Sequence, residues 1–195
     1  MAALDAFLPL IRKQINGPLD IMMKQAVLAA AMTFCRESLF CRESVIFSNV
    51  QPNGRYVLSD SEQVKCVKRL QVLDISEQGT GGGSPLIAGL DFTVKSANQL
   101  AFQRTFTQVR VDFAVEPKRN VSEVPDVLAD DYADVIANGA LADLFLMPGK
   151  PWTDPQRSQY FGTRFVDGYR RAFREALDNS PITAFSNPTR KHEFY

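Results

Sequence analysis

Ala30-Ala31-Met32-Thr33-Phe34-Cys35-Arg36-Glu37-Ser38-Leu39-Phe40-Cys41-Arg42-Glu43-Ser44-Val45-Ile46-Phe47, residues 30–47, carries the chain from one kind of order into another. Its first half continues a run from Leu19 rich in Ala, Met, Leu and Lys, all good helix formers. Met23, Val27, Ala30, Ala31 and Phe34 recur at three- and four-residue steps, which predicts a helix over 19–38 with one apolar band. Its second half turns β-branched, and from Ser44 to Glu116 alternation replaces the helical period. The doublet Cys35-Arg36-Glu37-Ser38 and Cys41-Arg42-Glu43-Ser44 is a local echo, far below the length of a structural repeat, and reads as fortuitous.

Working outward, the strand candidates are Val45 to Phe47, Arg55 to Leu58, Val64 to Ile75, Leu90 to Val94 and Val109 to Val115, so residues 44–116 form a β region. Pro52-Asn53-Gly54 tolerates positive φ and predicts a hairpin joining the first two. Gly79-Thr80-Gly81-Gly82-Gly83-Ser84-Pro85 reads as a flexible connection; no Lys-Ser or Lys-Thr follows it, as a phosphate loop would require. Before the long helix, Leu4, Phe7, Leu8, Ile11 and Ile15 predict a short amphipathic helix over 3–15, closed by Asn16-Gly17-Pro18. After Pro117 the helical pattern returns. Pro125, with Asp126, Asp130 and Asp131 near the positive dipole end, opens a helix predicted over 125–147. Pro148-Gly149-Lys150-Pro151 stops it, and a last helix over 154–178 follows, with Thr153 and Gln156 at capping-box spacing. Phe161, Phe165, Tyr169 and Phe173 would line one side of it. Pro181 and Pro188 preclude further helix, leaving 179–195 as an extended C-terminal arm.

The expected fold is therefore α+β: one domain over 1–178, with about four helices and a small antiparallel β-sheet insertion, followed by the arm. Hydrophobic residues at 45% and charged residues at 23% place the chain among ordinary soluble globular proteins. Lys plus Arg equals Asp plus Glu at 22 each, so no whole-molecule field draws in nucleic acid or an anionic membrane. Asp5, Pro9, Arg12 and Lys13 interrupt any signal-peptide core, and no apolar run approaches the roughly 20 residues of a membrane span. The odd set Cys35, Cys41 and Cys66 suits a reducing cytoplasm and reads as free, mostly buried thiols.

The chemical inventory points away from catalysis. The one histidine, His192, falls in the arm, where nothing rigid would hold it to a nucleophile. The cysteine spacings lack a metal-binding knuckle. Asp126, Asp130, Asp131 and Asp134 share a helix face and would serve an acid–base or cation site, but a solvated helix start accounts for them more simply. No catalytic, metal or cofactor residue is expected, and the chain reads as no enzyme. A small hydrolase built on the Asp-rich helix and a DNA-binding module built on the last helix are the competing classes; Asp154, Asp167, Glu175 and Asp178 dilute the basic patch the latter needs.

What stands out is charge segregation. The 125–147 helix holds five Asp and no Lys or Arg, whereas the 154–178 helix carries Arg157, Arg164, Arg170, Arg171 and Arg174. Opposite charge biases these helices toward each other or toward neighbouring copies. Gly139, Gly162 and Gly168 weaken their helices and so predict close approach. Trp152, in a corner with three prolines, is either a core anchor or an intersubunit plug. Phe185, Phe194 and Tyr195 give the arm apolar groups that gain by docking elsewhere.

The stretch Ile136-Ala137-Asn138-Gly139-Ala140-Leu141-Ala142-Asp143-Leu144-Phe145-Leu146-Met147-Pro148-Gly149-Lys150-Pro151-Trp152-Thr153-Asp154-Pro155, followed by an Arg- and Phe-bearing helix, resembles the head-to-tail adaptor (connector, head-completion) proteins of tailed bacteriophages. Ala30 to Ser38 resembles that family's first long helix, and the approach to Glu116-Pro117 and Val124-Pro125-Asp126 is a third echo. The resemblance implies a virion structural protein at the head–tail junction, made in the host cytoplasm. It implies a ring, commonly of twelve copies, that docks on the portal protein, links capsid to tail and surrounds the DNA channel, with no catalytic residues and no cofactor. Its partners would be copies of itself, the portal, the next neck or tail connector protein and, non-specifically, packaged DNA; no membrane is involved. Trp152, Arg157, Arg164, Arg170, Arg171, Arg174, Phe185, Phe194 and Tyr195 are the expected subunit and portal interface. A tail-completion or tail-terminator ring subunit is the nearest alternative.

Overall fold

A computed structural model describes residues 1–76 and 83–179. Strand β1 (Ala2–Ala3) leads through a 3-10 turn at Leu4–Phe7 into α1 (Leu8–Arg12), and α2 (Asp20–Ser38) follows. The β region comprises β2 (Arg42–Val50), β3 (Tyr56–Val57), β4 (Val64–Asp74), β5 (Ser84–Pro85), β6 (Phe92–Ser96), β7 (Gln99–Phe102) and β8 (Phe106–Pro117). After β9 (Glu123–Val124) come α3 (Asp126–Asp130), α4 (Ala133–Phe145) and α5 (Pro155–Asp178). The fold is mixed helix and sheet, and every strand pairing is antiparallel.

The longest strand, β8, organises the larger sheet, whose order is β2-β8-β4-β5. Val109, Val111, Phe113, Ala114 and Val115 of β8 are all buried, because a strand covered by neighbours on both edges and by helices on one face has little solvent side left. β2 lies against it in register, Val45 opposite Val111 and Phe47 opposite Val109, while β4 needs two register shifts to follow the twist. β3, β7 and β6 make a separate three-stranded sheet around Phe92 and Phe102. The helical layer is built on α2, whose expected band of Met23, Val27, Ala30, Ala31 and Phe34 is buried against α4, α5 and β8.

Four sequence expectations are corrected. The 3–15 helix is a 3-10 turn plus one short α-helix, since Pro9 has no amide to give and sits in the first turn of α1, where that loss is free; Leu4, Phe7, Leu8, Ile11 and Ile15 are nonetheless all buried. The 125–147 helix is broken at Tyr132, which takes φ −125°, ψ 18° so that its ring can enter the core between Phe34 and Phe40, each 4.9 Å away. Pro52-Asn53-Gly54 does turn, with Asn53 at φ 60°, but β2 and β3 do not form a hairpin. Asn53 donates its N–H to Phe102 O at 2.8 Å, and β2 and β3 find their partners in β8 and β7 instead. The cap of the last helix is Asp154, whose Oδ1 accepts from the amides of Gln156 and Arg157 at 3.0 Å each. Thr153 spends its hydroxyl on Met147 O and on the Lys150 amide. The Gly79–Gly82 part of the glycine-rich connection and residues 180–195 of the arm lie outside the described residues.

Candidate interaction surface

Asp154 and Pro155 start α5 together: the carboxylate takes two orphan amides and Pro155 occupies a first-turn position without one. The helix lies along α4 by small-residue contact. A Cβ on Gly168 would fall 2.4 Å from Val135 Cγ1, and one on Gly139 would fall 2.9 Å from the Phe165 ring and from Ala30 Cβ. These two glycines mark the close approach expected of them. Gly162 does not, because its Cβ would meet only Ala142 Cβ, at 3.8 Å. Ser158 Oγ donates to Ala142 O at 2.8 Å, and Phe161 stacks on Phe145 with ring centroids 5.7 Å apart.

Phe161, Phe165, Tyr169 and Phe173 do not stay on one side. Four-residue steps advance by about 40° each on a helix of 3.6 residues per turn. Phe161 is accordingly buried, Phe165 and Tyr169 are half-buried, and Phe173 is exposed. It joins Tyr160 and Leu177 as large apolar side chains on the solvent side of α5.

All five expected arginines lie on that exposed side. Arg157 reaches Asp154 at 3.5 Å and stands over the Phe145 ring at 5.6 Å; Arg164 donates to Tyr160 Oη at 2.6 Å; Arg171 reaches Glu175 at 3.4 Å. Arg170 and Arg174, with Phe173, Tyr169 and Glu37, line an open groove of about 330 Å³ between α5 and the end of α2. Among the described residues no carboxylate of α3 or α4 pairs with an arginine of α5. The charge segregation therefore does not join the hairpin; van der Waals contact at the glycines does. Polar bonds reinforce it: besides Ser158 on Ala142 O, Tyr132 Oη donates to Glu175, and burial, together with that carboxylate, pushes the phenol well above its ordinary range.

Trp152 is half-buried, and its ring covers Gly17, where a Cβ would fall 2.7 Å from Trp152 Cε3. It thereby pins the turn at 16–18 to the corner between α4 and α5, although its buried indole N–H has no acceptor among the described residues. Phe185, Phe194 and Tyr195, with His192, lie outside the described residues. Of the acidic run, Asp126 bonds the Met1 amino group at 2.7 Å, and no group of three potential ligands is placed to hold a metal among the described residues. No helix among them is long and apolar enough to cross a membrane.

Three features escaped the sequence reading. Glu116, 1% exposed and next to last in β8, holds Arg36 (2.7 and 3.0 Å) and Lys65 (2.9 Å) on its carboxylate. Burial acts to raise its pKa, and the two cations outweigh that and hold it below the ordinary carboxylate range. The loop between β5 and β6 projects Ile87 and Leu90, 60% and 63% exposed, and is braced by buried Asp91, which accepts from the Ile87 amide at 2.8 Å and from Arg104. The sulfurs of Cys35 and Cys41 touch. Each joins residues far apart in sequence or at a sharp chain reversal, where periodicity carries no signal. No protein-family model matches the chain, and no curated protein aligns with it significantly.

Proposed function

We propose that this chain is a non-enzymatic virion subunit, a head-to-tail adaptor that assembles as a ring, commonly of twelve copies, docks on the portal protein and links capsid to tail around the DNA channel. The observation that carries the reading is α5: one long helix turns Arg170, Arg174, Phe173 and Leu177 outward together, cation beside apolar surface. Arg and aromatic residues in that mixture are what protein interfaces concentrate. The resemblance at residues 136–155 fits it, because that segment is the α4–α5 corner which presents the helix. Each copy offers one face to a different face of the next, and a rotation that closes gives a ring. The projecting Ile87 and Leu90 suit contact with the next neck or tail component. Residues 179–195 would embrace the portal or an adjacent copy.

Imaging the purified protein mixed with its isolated portal tests this directly. A symmetric ring seated on the portal is the expected result. Seating on tail-tube protein instead would assign a tail-terminator, and a solitary catalyst missing from mature particles would end the reading. Deleting residues 179–195 should abolish portal binding or ring assembly; unchanged assembly would remove the arm from the mechanism.

A further inference from the structure

The Cys35 and Cys41 doublet plays no part in the adaptor reading, and the structure gives it a geometry of its own. α2 ends at Ser38, and Leu39 takes the left-handed conformation at φ 50°, ψ 29°, with its N–H on Cys35 O at 3.0 Å. A left-handed residue past a helix end reverses the chain, so Cys41 returns over the last turn of α2. The two sulfurs lie 3.5 Å apart, Cys35 fully buried and Cys41 only 5% exposed.

The contact is held from both sides. Ser38 Oγ donates to Phe34 O at 2.7 Å and accepts the Phe40 amide at 3.2 Å, which fixes the reversal. The Cys41 carbonyl accepts the Val115 N–H at 2.9 Å, which fastens the far end to the central strand β8. A disulfide bond measures about 2.05 Å, so bonding needs roughly 1.5 Å of closure shared by two side chains. Cys66 has no such neighbour: its Sγ donates to Ala97 O at 3.2 Å.

We propose that Cys35 and Cys41 are a redox modification site, a buried dithiol that a hydroperoxide converts into an intramolecular disulfide. This does not depend on the adaptor reading. Cys41 attacks first: it accepts the S–H of Cys35 and is the more exposed of the two. The bond to Cys41, burial and the nearby Glu116 charge all push the Cys35 thiol up, which leaves it the resolving partner. The Cys41 thiolate attacks one peroxide oxygen, the O–O bond breaks, and hydroxide leaves and takes up the displaced thiol proton as water; Cys41 is then a sulfenic acid. Cys35 attacks that sulfur, the S–S bond forms, and the sulfenic hydroxyl departs with the Cys35 proton as a second water. Two thiols thus give two electrons to one hydrogen peroxide. The bridge would tie the end of α2 to the start of β2, the joint between the helical layer and the larger sheet.

The test uses the full chain, purified under reducing conditions and exposed folded to hydrogen peroxide, then alkylated, digested with trypsin and mapped by mass. Cleavage after Arg36 and Arg42 separates the cysteines, so the expected product is a linked peptide pair two hydrogens lighter than its free halves, with Cys66 still alkylated. The thermal midpoint should rise and return on reduction. Cys41→Ser should leave Cys35 unoxidised at a peroxide dose that links the wild type, and Cys66→Ser should change nothing. Wild-type protein whose Cys35 and Cys41 stay free, become sulfinic acids without linking, or react after Cys66 would overturn the site, whatever the folding of the variants.

Discussion

Single side chains decide more here than bulk composition does. Among the described residues, Glu116 is the one buried carboxylate whose two cationic partners come from different layers, Arg36 from α2 and Lys65 from β4. Its pKa is depressed in the folded chain, so its contribution is complete above its unfolded pKa and is lost as pH falls through the folded one. Glu116→Gln should cost about 1–3 kcal/mol at pH 7, typical of hydrogen bonds to charged groups, and urea titrations should show the gap to wild type closing as pH drops below about 4. The α5 glycines make a sharper pair. Alanine gains about 1 kcal/mol over glycine in a helix, yet at Gly168 its Cβ would stand 2.4 Å from the stiff side chain of Val135, whereas at Gly162 it meets ordinary contact at 3.8 Å. Gly162→Ala should therefore raise the unfolding midpoint. Gly168→Ala should lower stability by about 1 kcal/mol net, overpacking outweighing propensity, and adding Val135→Ala should recover part of the loss. Sequence reading named both glycines alike, because a helical glycine advertises a missing side chain and not what stands opposite.

At the scale of elements, α2 and α5 were legible nearly to the residue, since each is long, periodic and bounded by a strong stop. α3 and α4 were not separable in advance. No proline interrupts the run from Asp126 to Phe145, and the break is imposed from outside by the pocket that Phe34 and Phe40 make for Tyr132. Five strand positions were found, but β7, the middle strand of the smaller sheet, was missed with the two-residue β1, β5 and β9. The partners were missed because pairing is a non-local property that a turn such as 52–54 signals only when both flanks share a sheet. The α5 cap was one residue off for a local reason: Thr153 and Asp154 are both good caps, and the corner takes the hydroxyl of Thr153 for itself. Asp154→Ala should cost about 1 kcal/mol. The loss should appear in denaturant melts followed by helical circular dichroism, while Thr153→Val should loosen the 147–153 corner without uncapping the helix.

For the whole molecule, the inward and outward faces of α5 separate stability from association. Arg170 and Arg174 form no ion pair with described residues, so Arg170→Glu with Arg174→Glu should leave the unfolding free energy within about 0.5 kcal/mol of wild type, as surface changes usually do. The same pair should abolish ring or portal assembly in light scattering, and assembly that persists would move the interface off this helix. The arginines, Trp152 and the helix that presents them were readable from the sequence. That the acidic helix face would not answer them within one chain was not, because charge pattern states a bias and packing decides the distances.

Tyr132 sits where several of these threads meet. Its phenol grips Glu175, four residues before the helical register runs out at Asn179, while its ring is wedged among side chains of α2 and of the turn into β2. A force applied to the chain beyond α5 would enter the body at that phenol. The last turn of the helix is therefore moored like a cable at its cleat, and tension on the terminus would be handed to the interior before the helix had room to unwind.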